Sequence, residues 1–281
     1  MSIITLTTDY GLKDHFVGAI KGKILSQNPE TAIVDISHHI DPFNAAEASY
    51  IVSSAYASFP KGTVHFIGVD AELNRENRHI AMQWNGHFFV CADNGIPGLI
   101  AQKTLPEKIV AVNIHDRLTE PANDIDVLVK VACHIARGGL LNVIGKEIED
   151  IKRPTELQPV ISTDRSSLKG YVIYIDHLGN AVTNISRKMF NEAAAGRDFE
   201  IVMGGSLRGN RNNLRRILSR YSDIGMETDY PIKNYEGVKI AIFNEAGFLE
   251  IGIFRANPET VGTAANLLGI SYRDTVTVYF E

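Results

Sequence analysis

The sequence predicts an α/β N-terminal domain with a largely parallel sheet, followed by a second, β-rich and mainly antiparallel domain. Three observations lead to this prediction. Strand-like and helix-like segments alternate as far as about residue 150, a pattern typical of parallel strands covered on both faces. A polar stretch with two prolines follows, KEIEDIKRPTELQPVISTDRSS, and indicates a linker. Beyond it, short apolar runs succeed one another with few helices between them. We therefore expect domains at 1–155 and 169–281, joined by a linker at 156–168.

In the first domain, β-branched apolar runs predict strands, and apolar residues at helical spacing predict the helices between them. The predicted strands are SIITLTT, TAIVDIS, TVHFIGV and KIVAVNI, with HIAMQW and HFFVCA paired in a hairpin. Asn85-Gly86 in that hairpin suits a type I′ turn. Helices are expected over residues 13–28, from Asn44, where Glu47 completes a capping box, and over IDVLVKVACHIARGG. The second domain should contain the strands GYVIYID, FEIVM, VKIAIF, FLEIGIF and TVTVYF.

Composition limits the function classes. The 281 residues are 44% hydrophobic and carry a formal net charge of −5, which allows a large core and argues against nucleic-acid binding by phosphate neutralisation. The arginine-rich stretch GGSLRGNRNNLRRILSRYSD is therefore interpreted as a solvated basic helix face. Cys91 and Cys133, each within an apolar run, are expected to be reduced core thiols. Without a signal-peptide pattern or a membrane-length apolar run, we expect a soluble, cytoplasmic protein.

Two motifs follow predicted strands of the first domain, at the edge where such sheets bind ligands. TTDYG contains Asp9 directly after the first strand, where it either binds a ligand or caps the next helix. VDISHHIDPFN contains His38 and His39, which should point to opposite faces of the chain and hardly share a metal ion. Phe43, just before a helix, is either a hydrophobic staple or an aromatic lid over a flat ligand.

Two further motifs gather polar side chains between apolar segments. Asp70 ends an apolar strand and precedes a polar loop with Arg75 and Arg78. A carboxylate at that position has to be solvated, paired with a cation or used in the function of the protein. Arg75 and Arg78 are therefore either functional partners of Asp70 or members of simple surface salt bridges. In YIDHLGNAVTNIS, turn hydrogen bonds explain only some of the clustered Asp, Asn and Thr side chains. No dinucleotide-binding, P-loop or hydrolase-elbow motif occurs in the sequence. The residues alone predict a small-ligand cleft at the strand ends or between the domains.

Taken together, LTTDYGLKDHFVGAIKG, VDISHHIDPFN, FPKGTVHFIGVD, FFVCADNG and YIDHLGNAVTNIS resemble the S-adenosyl-L-methionine hydroxide adenosyltransferases. Their relatives are the fluorinase and chlorinase enzymes. The resemblance covers essentially the whole chain and implies an α/β domain followed by a β-barrel-like domain. It also implies a homotrimer with the ligand between domains of neighbouring subunits. The implied reaction is attack of water on the ribose C5′ of S-adenosyl-L-methionine, without a metal or other cofactor.

The resemblance also assigns substrate-binding residues. Asp9, with Tyr10 beside it, matches the carboxylate that binds the ribose diol, and Phe43 matches an aromatic position that packs on the adenosine. The remaining matches are in the second domain. Asp176 and Asn180 match the groups that hold the methionine end. Asn244 begins the segment that closes over methionine, and Phe254 and Arg255 lie near the adenine edge.

The implied catalytic residues depart from the family pattern. Family hydrolases position water with an Asp, an Arg and a His, and Asp70 matches the Asp. The Arg position falls on Asn77, with Arg78 adjacent and Arg75 in the same loop. Asn123 occupies the His position. An asparagine supplies neither the charge of an arginine nor the basicity of a histidine.

Three functions remain in consideration. The first is hydrolysis of S-adenosyl-L-methionine to adenosine and L-methionine, with Asp70 orienting the water. The second is a non-catalytic protein that binds S-adenosyl-L-methionine or adenosine. The third and least favoured is a halogenase, because Asp70 would repel an anionic nucleophile. All three involve a small molecule and neither nucleic acid nor membrane.

Overall fold

The computed structural model divides into two compact units, Met1–Thr155 and Glu156–Glu281. The structure describes residues 2–102, 104–118, 122–203, 208, 213–226, 230–260 and 262–281. The stretch 156–168, expected as a linker, belongs to the second unit and contains a two-residue strand that pairs with its neighbour in that unit. In the described part of the chain, no helix is long and apolar enough to cross a membrane.

The first unit is built on one seven-stranded sheet. Its strands are β1 (Ile3–Thr8), β2 (Ala32–Ser37), β3 (Val64–Gly68), β4 (His79–Trp84), β5 (His87–Ala92), β6 (Lys108–Val112) and β7 (Gly145–Glu147). Their order across the sheet is β2-β1-β3-β5-β4-β6-β7. The pairs β2–β1, β1–β3 and β3–β5 are parallel, and the other pairs are antiparallel, so β4 and β7 run against the remaining five strands. The largely parallel sheet predicted from the sequence is confirmed.

Helices cover both faces of this sheet. They are α1 (Phe16–Gln27), α2 (Ala45–Ala55), α3 (Ile96–Ile100), α4 (Asp124–Ala136) and α5 (Leu141–Ile144). Short 3₁₀ helices span Tyr56–Ser58 and His115–Arg117. Apolar residues of α1 and α4 share one core, and those of α2 and α3 share another. Successive residues of β3, Phe66 and Ile67, belong to the first and second core respectively, as expected for side chains that alternate across a strand.

Local signals in the sequence explain several boundaries of these elements. The Asn44 side chain accepts a hydrogen bond from the Glu47 amide and caps α2, as predicted. Asn85 and Gly86 both have positive φ, 50° and 73°, as a type I′ hairpin turn requires. Cys91 and Cys133 are buried and form no disulfide, which agrees with their expected role as core thiols.

The second unit is a curled antiparallel half-barrel. Its strands are β8 (Val160–Ile161), β9 (Ser167–Ile175), β10 (Ala181–Ser186), β11 (Phe199–Met203), β12 (Lys239–Phe243), β13 (Phe248–Ile253) and β14 (Thr275–Phe280), and its helices are α6 (Arg187–Ala194) and α7 (Ala264–Leu267). The order is β11-β14-β9-β10-β13-β12, with β8 beside β9. The β-rich, barrel-like second domain is therefore confirmed.

The basic helix predicted between residues 204 and 223 is absent from its described part. Residues 204–207 and 209–212 lie outside the described residues. Over 213–220, Leu214 and Leu218 instead form isolated bridges to β11 and β12. The described part of the stretch thus pairs with strands through its backbone, and short 3₁₀ helices, Tyr221–Gly225 and Ile232–Tyr235, follow.

Two buried histidines meet in the middle of the first sheet. His65 on β3 and His87 on β5 are 1% and 0% exposed, with 3.2 Å between Nε2 of His65 and Nδ1 of His87. Thr5 Oγ1 lies 2.7 Å from His65 Nδ1. Burial lowers the pKa of His65 to about 3 and also lowers the pKa of His87. Both rings are therefore neutral in the folded protein near pH 7.

We expect the His65–His87 pair to make the folded protein sensitive to acid. The unfolded state binds a proton at each histidine below about pH 6.5, whereas folded His65 resists protonation until about pH 3, so stability falls as the pH drops between these values. Between about pH 7 and pH 5, wild type should lose about 2 kcal/mol more than His65→Leu in urea unfolding. Equal losses in the two proteins would contradict this account.

Candidate active site

The acidic residues predicted to bind ligand in the first unit collect at one edge of its sheet. Thr8 at the end of β1 lies opposite Gly68 at the end of β3 in parallel register. Asp9 comes directly after β1, and Asp70 comes two residues after β3. Because neighbouring strands lie about 4.8 Å apart, these two residues follow adjacent strand ends at one edge of the sheet. The strand order changes direction here, β2 being on one side of β1 and β3 on the other, and the crevice at such a point is the usual ligand position in these sheets.

The two histidines after β2 have different environments. His38 is 3% exposed, and its Nδ1 lies 2.8 Å from Thr8 Oγ1, while His39 is exposed. The His38 carbonyl also accepts a hydrogen bond from Gly11 N at 2.7 Å. His38 therefore joins the ends of β1 and β2 and fixes the turn that contains Asp9. The histidines diverge, as predicted.

Asp9 and Phe43 contact each other across this edge. The Phe43 amide donates a hydrogen bond to Asp9 Oδ2 at 3.2 Å. Phe43 has a φ of 63°, an uncommon backbone conformation for a bulky residue, and its side chain is 74% exposed. Asp9 Oδ1 accepts no hydrogen bond from the described residues. The arrangement offers one unused carboxylate oxygen beside an uncovered aromatic ring, which is what a sugar diol joined to a flat base requires.

Tyr10 marks a region of negative charge next to Asp9. Burial and, to a smaller extent, the carboxylates of Asp9, Glu72 and Asp124 together raise the pKa of Tyr10 to about 12. The phenol is therefore a neutral hydrogen-bond donor near pH 7. Three carboxylates acting on one ring create a negative potential that favours a cationic ligand.

Asp70 has the conformation expected of a residue under functional constraint. Its φ is 44°, in the left-handed region that non-glycine residues seldom adopt. The Asn94 amide donates to both Val69 O and Asp70 O, at 2.9 and 3.0 Å, and so holds the backbone in this conformation. Among the described residues, no cation lies within ion-pair distance of the Asp70 carboxylate.

Asn77 and Arg78, predicted as catalytic partners of Asp70, contact other groups. Asn77 Oδ1 accepts a hydrogen bond from Lys152 Nζ at 2.9 Å. Arg78 Nε donates to Asp93 Oδ2 at 3.1 Å, and its Nη2 donates to Asp150 O at 2.7 Å. Asp93 is 2% exposed. Arg78 therefore neutralises a buried carboxylate of its own instead of pairing with Asp70.

Asn123, the fourth predicted catalytic residue, caps helix α4. Its Oδ1 accepts a hydrogen bond from Asp126 N at 2.9 Å, and Asp126 Oδ2 accepts one from Asn123 N at 3.2 Å. This reciprocal capping box satisfies two backbone donors at the start of the helix. The carbonyl oxygen of the Asn123 side chain is thus already used.

In the second unit, Asp176 and Asn180 form one rigid turn. Asp176 Oδ1 accepts hydrogen bonds from Leu178 N at 2.9 Å and Asn180 N at 2.8 Å, and its Oδ2 accepts one from Asn180 Nδ2 at 2.8 Å. Asn180 is 3% exposed. The turn orients the Asp176 carboxylate without any cation from the described residues.

Asn244 belongs to a second buried cluster in this unit. Its Nδ2 donates to Glu250 Oε2 at 3.1 Å, and the Tyr221 hydroxyl donates to Glu250 Oε1. Burial raises the pKa of Glu250, which is 6% exposed, and the nearby charge of Asp176 adds to the rise. Burial and the contact with Glu250 likewise raise the pKa of Tyr221.

Phe254 and Arg255, predicted near an adenine edge, differ in their surroundings. The Phe254 ring is 5% exposed and packs in an apolar cluster with Leu218, Ile240 and Ile242. Arg255 has a φ of 52°, and its Nη1 donates to Glu236 Oε1 at 2.8 Å. The main-chain groups of Phe254 are also occupied, since its amide donates to Val238 O and its carbonyl accepts from Gly237 N.

Sequence reasoning missed Asn94 and Asp124 at the first-unit site. Asn94 follows β5, so the rule that ligands bind beyond strand ends applied to ADNG would have identified it. Asp124 begins α4, and its Oδ2 accepts a hydrogen bond from Leu73 N at 3.0 Å. No local pattern indicates this contact, because it joins residues far apart in sequence.

Comparison with protein-family models gives two matches. The model described as the SAM hydroxide adenosyltransferase N-terminal domain matches residues 4–145. The model of the SAM hydroxide adenosyltransferase C-terminal domain matches residues 170–277. Together they include the strand ends of the first unit and the Asp176 turn of the second.

Similar proteins include enzymes with assigned reactions. An (R)-S-adenosyl-L-methionine hydrolase from Methanocaldococcus jannaschii is 29% identical over the whole chain and 97% of its own length. One from Thermus thermophilus is 25% identical over 96% of each chain. A fluorinase from Actinopolyspora mzabensis is 25% identical over 69% of this chain and 75% of its own. A solved structure, an uncharacterized conserved protein from Thermotoga maritima, superposes with a TM-score of 0.82 at 24% identity, over 99% of each chain, and supports the fold alone.

Arg78→Ala should reduce stability because it leaves Asp93 buried without its cation. Allowing for solvent screening of the half-exposed arginine, we expect a loss of about 1–3 kcal/mol in urea unfolding. Arg75→Ala is the matched control, since Arg75 is exposed and lies in the same loop, and should leave stability unchanged. If Arg78→Ala is as stable as wild type, the contact with Asp93 contributes little to the free energy of unfolding.

Proposed function

The chain belongs to the SAM hydroxide adenosyltransferase family, and from this premise we propose that it hydrolyses S-adenosyl-L-methionine to adenosine and L-methionine. The observation that supports this proposal most directly is the Asp70 carboxylate. Asp70 follows β3 at the carboxyl edge of the sheet, Asn94 holds its backbone carbonyl, and no cation among the described residues pairs with its carboxylate. An unpaired carboxylate in this position can accept a hydrogen bond from one water molecule.

The proposed reaction is an in-line displacement at the ribose C5′. The water oxygen forms a bond to C5′ while the C5′–S bond breaks, and sulfur keeps the electron pair of that bond as a neutral thioether. Positive charge therefore moves from sulfur to the attacking oxygen. A carboxylate behind that oxygen stabilises the charge as it develops and accepts the released proton. Because the leaving group is neutral, no general acid is required.

The first unit supplies the ribose and adenosine contacts in this proposal. Asp9, with its unused Oδ1, accepts hydrogen bonds from the ribose hydroxyls, and the exposed Phe43 ring packs on the adenosine. The negative potential around Tyr10 attracts the sulfonium cation. Holding C5′ in line with the water accounts for much of the rate gain, because fixed geometry replaces a bimolecular encounter.

The resemblance assigns the methionine end to Asp176 and Asn180. A carboxylate has about four acceptor sites, and three hydrogen bonds within the turn occupy most of those on Asp176. Its charge is thus held in one orientation, suited to an α-ammonium group. The proposal also includes a homotrimeric, cytoplasmic enzyme. Light scattering would measure the mass of this assembly in solution.

The loss of the family's Arg and His leaves Asp70 as the main catalytic group. Asn77 is bonded to Lys152, and Asn123 caps α4, so neither is available to activate water. We propose that Asp70 alone orients the nucleophile. Its negative charge disfavours a halide, which separates this chain from a fluorinase.

Purified protein incubated with S-adenosyl-L-methionine in oxygen-18 water should release adenosine labelled at the 5′-hydroxyl. The label reports attack at C5′, and chromatography with mass spectrometry detects it. A boiled sample is the control. Calorimetric binding with no adenosine would indicate a binding protein instead, and 5′-chloro-5′-deoxyadenosine formed in the presence of chloride would indicate a halogenase.

Substitution of the two strand-end carboxylates should separate catalysis from binding. Asp70→Asn should lower kcat by about 10²- to 10⁴-fold, because it removes a proton acceptor, with little change in KM. Asp9→Asn is the matched control at the neighbouring strand end. It should raise KM by about 10- to 100-fold through weaker hydrogen bonds to the ribose. Equal losses of kcat and affinity in Asp70→Asn would make Asp70 a substrate ligand.

A further inference from the structure

Residues 71–73, in the loop that follows Asp70, are held at both ends by side chains of β4 and α4. His79, the first residue of β4, has its Nε2 2.9 Å from Ala71 O. Asp124 Oδ2 accepts the hydrogen bond from Leu73 N. With the Asn94 contacts to Val69 O and Asp70 O, backbone groups from residue 69 to residue 73 are held by three side chains.

The hydrogen bond to Ala71 determines which His79 nitrogen carries the proton. A carbonyl oxygen can only accept, so Nε2 of His79 must be protonated and donate. His79 is 0% exposed, and burial lowers its pKa, so the ring is neutral and Nδ1 is an acceptor. His115 Nε2 lies 3.1 Å from this Nδ1 and supplies the donor. Asp124 Oδ1, at 3.9 Å from His79 Nε2, is beyond hydrogen-bond distance.

The His79 contact restrains the residue next to a strained one. A left-handed backbone conformation at a non-glycine residue costs free energy and persists only when its surroundings enforce it. Asp70 has such a conformation. Without the bond to Ala71 O, the chain after Asp70 is freer to relax toward ordinary φ values, and the carboxylate then shifts from the edge of the crevice.

We propose that His79, oriented by His115, is a positioning residue that keeps the Asp70 carboxylate directed at the attacking water. This inference rests on the proposed function. It assigns a role to two histidines at other positions than residue 123, where Asn123 replaces the family's catalytic histidine. His79 does not contact substrate in this role, because it acts through the backbone of Ala71.

The structure contains a matched control in the same sheet. His65 and His87 form a second buried histidine pair, with 3.2 Å between their ring nitrogens, and His65 bonds to Thr5 instead of the Asp70 loop. Removing a ring from either pair damages a buried hydrogen-bonded contact. Only the loss of His79 should affect Asp70.

The test compares His79→Leu, His79→Gln and His87→Leu by kcat, KM and amide hydrogen exchange of residues 69–74. His79→Leu should lower kcat by about 10- to 100-fold, as a displacement of about 1 Å would, with KM unchanged and faster exchange in this loop. His79→Gln should recover most of the kcat, since its amide can still donate to Ala71 O. His87→Leu should keep wild-type kcat per folded molecule and wild-type exchange in the loop.

Several results would overturn the proposal. These are loop exchange in His79→Leu that matches His87→Leu, a kcat that does not fall, or a glutamine variant no better than leucine. If wild type releases no adenosine, the proposed function fails, and the exchange comparison still decides whether His79 restrains the loop. Should His79→Leu not fold, His115→Leu replaces it, because it removes the orienting donor and leaves His79 in place.

Discussion

The hydrogen bonds from Asn94 to the two carbonyls at the end of β3 are the contact on which the candidate site depends. They hold Asp70 at a φ of 44°, and this turn directs the chain away from the strand at the point where a ligand would enter. Asn94 comes from the end of β5, the parallel neighbour of β3. The conformation of one carboxylate therefore follows from the strand order of the whole sheet. A sheet with a different neighbour beside β3 would leave the same sequence without this support.

Charge is distributed unevenly over this edge of the sheet. Asp9, Glu72 and Asp124 act together on Tyr10, whereas Arg78, in the loop after Asp70, is bound to the buried Asp93. An uncompensated group of carboxylates destabilises the folded protein until a cation arrives. In the proposed reaction the sulfonium substrate brings that cation and loses it, so this site would bind the substrate more strongly than the neutral nucleoside it releases.

Local patterns predicted much of the fold and the strand-end positions of two acidic residues, and non-local contacts account for the rest. Asn85-Gly86 and the Asn44 cap are encoded within a few residues, and Asp9 and Asp70 follow from the strand-end rule. The partners of Asn77 and Arg78 are far away in sequence, and no local signal indicates them. The strand β10 was missed because its polar residues bond to neighbouring strands. Thr183 Oγ1 donates to Leu249 O, so this polar side chain is buried in the sheet with its hydrogen bond satisfied.

The capping box at the start of α4 sets a cost on any change at residue 123. The resemblance matches Asn123 to the position of the family's histidine, and in the structure its side chain stabilises a helix end. Exchanging a good cap for a poor one costs about 1 kcal/mol. A histidine introduced at position 123 would therefore lose folding stability before it added any chemistry, so an engineered base is better placed at a residue that caps no helix.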